Sequence, residues 1–220
     1  DGRMDVTPQV AERPRWRGHS HQWAFVASAI AGAALLASPH SPLAGLAAAV
    51  YVVTLCALFG VSATYHRVTW GAVGRARMKR LDHATIFVFI AGSYTPVALL
   101  AVGGASGTTL LSLAWAGAAL GVARIFCWPG APKALTVSLY LALGWLIVAY
   151  APAVMQRLDG FGEALFAAGG LMYSAGALVY GFRRPNPWPA SFGYHEIFHA
   201  LVVVACACHF VAIARVVTGG

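Results

Sequence analysis

His195 and His199 stand four residues apart in the segment His195-Glu196-Ile197-Phe198-His199. On a helix this spacing puts both imidazoles on one face, one turn apart, where they can grip a single metal ion. Ser62 and His66 have the same spacing in an earlier apolar segment. A third histidine completes the three-nitrogen set common in catalytic zinc sites, which leaves one coordination position for water or substrate. Asp82, at the start of another apolar segment, is then a natural acceptor or base toward that water. The expected metal ligands are therefore His66, His195 and His199, the expected cofactor is Zn2+, and the expected catalytic residues are Asp82 and Ser62. Taken singly, each histidine reads better as a helix cap or an interfacial hydrogen-bonding group than as a ligand. Three of them with an aspartate at one depth favour the metal.

The other histidines are assigned differently. His209 lies ten residues beyond His199, a rise of about 15 Å along a helix, so it cannot share the ion and reads as a buried polar contact. His83 points about 100° away from Asp82 around a helix and reads as a support rather than a ligand. His19, His21 and His40 read as tail or loop residues.

The segments that carry these groups have to cross a membrane. Hydrophobic residues make up 59% of the 220 and charged residues only 10%, against roughly 25% charged in soluble proteins. Apolar runs near the 20 residues needed to span hydrocarbon recur at 22–38, 43–66, 81–102, 108–127, 134–154, 162–181 and 193–216. The expected fold is all-α: a polytopic bundle of seven transmembrane helices over 22–217, after an N-terminal tail over 1–21. Asp1-Gly2-Arg3, ahead of Met4, reads as a cloning remnant, and the first span as its own insertion signal. Pro39 and Pro42 blur one boundary, and Pro96 is expected to kink or shorten the third span. Cys56, Cys127, Cys206 and Cys208 fall in or beside apolar segments and predict no disulfide framework.

Basic residues set the direction, because Lys and Arg accumulate on the cytoplasmic side of short loops. Arg3, Arg13, Arg15 and Arg17 precede the first span, and Arg67, Arg75, Arg77, Lys79 and Arg80 follow the second. Arg124 and Lys133 flank the fourth loop, and Arg183 and Arg184 the sixth. All of these fall on one side, while Arg157 and Arg215 fall on the other. The N-terminus is expected in the cytoplasm and the C-terminus outside. This orientation brings His66, Asp82, His195 and His199 to the same face at matched depth. The basic inner loops suit anionic headgroups, and insertion bias accounts for the net charge of +8 without nucleic acid as a partner.

Ser62-Ala-Thr-Tyr-His66, Leu81-Asp82-His83, Ala91-Gly92-Ser93-Tyr94-Thr95-Pro96 and His195-Glu196-Ile197-Phe198-His199 together resemble the motifs of bacterial hemolysin III proteins, in the right order and spacing. Those proteins group with the progestin and adipoQ receptor family. The resemblance runs from the helix of His66 to the end of the last span, and Ser93 stands where a threonine is expected. It implies a seven-helix bundle in the bacterial plasma membrane, with intramembrane zinc held at His66, His195 and His199. It also matches the family's aspartate to Asp82 and its serine to Ser62. Lipid amidases such as alkaline ceramidases lie in the wider superfamily, and the bacterial branch is associated with hemolysis and membrane-lipid homeostasis.

The favoured reading is an intramembrane hydrolase of lipid amides or esters, with membrane lipids as substrate, Asp82 as base and Ser62 orienting water. A second reading is a metalloprotease, since His195–His199 satisfies H-E-x-x-H with Glu196 as base. No Asp or Glu follows Glu196 to complete such a site, so Glu196 reads as a helix-start charge. A third is a non-enzymatic receptor, sensor or cytolytic protein in which zinc ties the second and seventh helices together. A retinal pump is excluded, because the only lysines, Lys79 and Lys133, lie outside the seventh span.

Overall fold

The computed structural model describes residues 14–38 and 41–219. The expectations for Asp1–Arg3 and His40 lie outside the described residues. Among the described residues, seven helices are long and apolar enough to cross a membrane: α1 His19–Ala37, α2 Pro42–Arg67, α3 Ala72–Val102, α4 Gly104–Cys127, α5 Lys133–Met155, α6 Gly160–Phe182 and α7 Tyr194–Thr218. The protein is an all-helical integral membrane protein. Side-chain caps set several boundaries. Ser41 accepts the Ala44 N–H ahead of Pro42, which needs no donor at a first turn, and Asp159 accepts the Gly162 N–H at 2.9 Å. Gly103, at φ 65, reverses the chain between α3 and α4.

Helix α3 begins at Ala72, nine residues ahead of the expected span. Arg75, Arg77, Lys79 and Arg80 are therefore on a helical extension and not in a loop. Hydropathy locates the hydrocarbon crossing, whereas Ala, Arg, Met and Lys are good helix formers and carry the helix beyond it. Pro96 does not shorten the span. It lacks a donor for the preceding turn, and the chain relaxes into a π-helical stretch, Val97–Val102, that continues the helix. Helix α5 is interrupted, with a 3-10 stretch at Trp145–Tyr150 between its two α-helical parts. The Tyr94 hydroxyl donates toward the carbonyls of Leu143 (2.9 Å) and Gly144 (2.8 Å) and accepts the Ile147 N–H at 2.9 Å. The polar groups freed by that break are thus met from α3, as hydrocarbon surroundings require.

Helices α2 and α3 are central, with 50% and 56% of their apolar windows buried, while α5 and α6 are peripheral at 11% and 17%. Small residues allow the close crossings. A Cβ on Gly92 of α3 would sit 2.0 Å from Thr54 Oγ1 of α2, and one on Gly169 of α6 would sit 2.2 Å from the His209 ring of α7. Tyr51, Leu55, Phe59, Phe87 and Ile213 are among the largest fully buried side chains.

Candidate metal centre

Helix α2 delivers His66 from its last turn, and α7 delivers His195 and His199 from its first two turns. One nitrogen of each ring lies within 4.8 Å of the other two. His66 Nε2 and His195 Nε2 are 3.2 Å apart, and His66 and His199 are buried while His195 is half-buried. Asp82, from α3, places Oδ2 at 4.0 Å from His66 Nε2. The Ser62 hydroxyl, one turn above His66 and 2% exposed, donates to the Asp82 carboxylate. The five residues named from the sequence thus meet at one end of the bundle, drawn from three helices.

This donor set fits a divalent ion of borderline softness. Two imidazole nitrogens that face each other either share a proton or direct both lone pairs at one ion, and a third buried imidazole beside them favours the ion. The carboxylate nearest the cluster is itself held, through its hydrogen bond from Ser62.

The structure corrects the reading of His19 and His21. Both belong to α1, and His21 is 3% exposed, with its ring stacked on His199 at 3.9 Å between centroids and 14° between planes. The ring lies beside the His199 backbone, yet neither nitrogen meets hydrogen-bond geometry with any described residue. A buried polar atom left unmet costs about 1–3 kcal/mol. Gly18, at φ 81, makes the approach possible, because a Cβ there would come within 2.7 Å of His66 Cβ. Moving the first span's start three residues earlier would have put His21 at the depth of His66; the sequence signal was a histidine bordering an apolar run.

Arg17 also reaches this end of the bundle. It pairs with Glu196, whose second carboxylate oxygen accepts the Gly193 N–H at 2.9 Å and caps α7. The Arg15 and Trp16 N–H groups donate to the carbonyls of Ala190 and Ser191, both at 3.2 Å, so the segment before α1 lies against the α6–α7 connection. Glu196 is thereby committed to a helix start, as its position suggested. His83 contributes its carbonyl to the Tyr140 hydroxyl at 2.8 Å, and His209 Nε2 lies 3.1 Å from the Phe166 carbonyl, away from the cluster.

A cavity of about 690 Å³ opens from this centre. His21, Ser62, Asp82, His195 and His199 line its polar end, and the rest is mainly apolar, with side chains such as Phe89, Ile147 and Met155 and a few polar ones, Ser174, Glu163 and His209 among them. Its α7 wall runs from His195 to Ile213, about 27 Å at helical rise.

Residues 10–210 match the family model described as Haemolysin-III related. The chain belongs to the hemolysin III family. Hemolysin-3 of Bacillus cereus is 33% identical over 176 residues, covering 79% of this chain and 77% of that protein. The human monocyte to macrophage differentiation factor is 28% identical over 206 residues, 89% of this chain and 80% of the relative. A rice heptahelical transmembrane protein, ADIPOR2, is 36% identical over 93 residues, 37% of this chain and 40% of its own length. These relatives join the hemolysin III branch to the progestin and adipoQ receptors. His66, Asp82, His195 and His199 all lie within the matched stretch.

Proposed function

We propose that this hemolysin III protein is a zinc-dependent intramembrane hydrolase of lipid amides or esters, resident in the bacterial plasma membrane. The observation that carries this reading is the three-histidine cluster, with Asp82 and Ser62, at the polar end of a long apolar cavity. His66, His195 and His199 would hold the ion, which supplies Lewis acidity and makes a water nucleophile accessible near neutral pH. The cavity takes the acyl chain and excludes bulk water, leaving the scissile carbonyl beside the histidines. Asp82 accepts the proton of the attacking water and returns it to the departing nitrogen or oxygen, so that carboxylic acid and amine or alcohol result. Ser62 holds the carboxylate in place through its hydroxyl.

Catalysis is tested with purified, metal-loaded protein and three near-isosteric variants. Asp82→Asn should keep most of its metal and lose turnover by a factor on the order of 10² to 10⁴, the usual contribution of a general base. Ser62→Ala should be intermediate. Glu196→Gln should cost far less turnover than Asp82→Asn, since Glu196 caps α7 and pairs with Arg17; the metalloprotease reading requires the opposite ranking. Folded wild-type protein that leaves ceramide-like amides, fatty-acyl esters and native lipid extracts intact would sink the hydrolase and leave a zinc that only ties α2 to α7.

A further inference from the structure

His21 reaches the polar end of the cavity from α1, a helix that supplies none of the three convergent ligands. Its faces are filled. His199 stacks on one, and Phe59 meets the ring edge-on at 5.0 Å. The start of α1 is fixed as well, by the Arg17–Glu196 pair and by Gly18 against His66. The ring is therefore held in one orientation before anything binds. Packing alone does not call for an imidazole here, because a phenyl ring would fill the slot without two buried polar atoms that lack partners among the described residues.

A neutral imidazole offers one N–H donor and one acceptor. We propose that His21 is a substrate-binding residue, donating a hydrogen bond to the oxygen at the head of the cavity's occupant and so holding that head against the three-histidine cluster. This rests on the hydrolase reading, and it adds the group that selects a polar head over a bare hydrocarbon. Acyl chains alone would enter the apolar cavity in several registers. A fixed donor at its end sets one.

The test uses the full chain in detergent, loaded with Co(II), and octanohydroxamic acid as a head-and-chain probe. Metal per chain is measured by elemental analysis, and probe affinity by the change in visible cobalt absorption. His21→Phe, which keeps the stack, should retain the metal and bind the probe about tenfold more weakly, the effect of one lost hydrogen bond. His21→Gln, which keeps a donor, should recover part of that loss. Equal affinity in wild type and His21→Phe overturns the proposal, as does metal loss in His21→Phe as complete as in His199→Ala. Should His21→Phe not purify folded, His21→Leu is compared with His21→Gln, and equal affinities have the same meaning. Wild-type protein that loads cobalt but never binds the probe overturns the cavity reading itself, a result distinct from failure at His21 alone.

Discussion

At the scale of single residues, what distinguishes the centre is what its polar groups face. Glu196 is occupied by Gly193 and Arg17, and His209 by Phe166, whereas His66, His195 and His199 turn nitrogens toward one another. Replacing any of these three by Ala should therefore reduce bound zinc from about one per chain to a small fraction of that, read by elemental analysis on folded protein, because two imidazoles hold the ion far more weakly than three. His209→Ala should keep full metal content. Comparable metal loss from His209→Ala would contradict the separation in depth. These ligand candidates could be found in the sequence because i, i+4 spacing and matched span ends are one-dimensional properties. Span ends could give the depth of His21 but not its contact with His199. Its proximity depends on Gly18 crossing over the end of α2, a contact between positions far apart in the chain that no periodicity reports.

At the scale of elements, two irregularities meet at the cavity wall: the π-helical end of α3 after Pro96 and the 3-10 interruption of α5. Tyr94 joins them through its hydroxyl, so the broken part of α5 depends on a side chain of α3. Tyr94→Phe keeps the ring but leaves the Leu143 and Gly144 carbonyls and the Ile147 N–H to find other partners. The expected cost is about 1–3 kcal/mol, which lowers the thermal midpoint by about 2–4 °C per kcal/mol for a chain of this size. Zinc content should not change, since Tyr94 touches none of the three histidines. A melting temperature equal to wild type would mean that the hydroxyl does not support α5. The existence and order of all seven helices were legible from apolar runs of span length. The break in α5 was not, because residues 145–150 are apolar in either helical form and the compensating donor lies in another helix. The early start of α3 escaped for the converse reason: its basic turn is helical yet lies outside the hydrocarbon.

At the scale of the whole molecule, the helices alternate so that the metal centre and most of the basic residues share one end. Contacts establish that end independently of any charge rule: Arg17 at the start of α1 pairs with Glu196 at the start of α7, and Lys133 at the start of α5 donates to the Tyr180 carbonyl near the end of α6 at 2.8 Å. The opposite end is marked by Arg215 of α7 paired with Asp159 ahead of α6, at 2.8 Å. Arg67, Arg75, Arg77, Lys79 and Arg80 extend the first end, and translocating so many cations across a bilayer is disfavoured, so we expect this end in the cytoplasm. Anionic headgroups of the inner leaflet would then gather around the exposed turns of α3, each Lys or Arg near the surface contributing about 1 kcal/mol at low screening. A periplasmic reporter fused after Thr218 should be active, and the same reporter inserted after Gly71, ahead of the basic turns, should be silent. Reversing the charges of Arg75, Arg77, Lys79 and Arg80 should weaken binding of the purified protein to anionic vesicles while leaving zinc content unchanged, because those side chains lie outside the ligand set. If both reporters were active, or if the silent one were at the C-terminus, the metal centre would face the outer leaflet, and any lipid it hydrolyses would have to be drawn from that side.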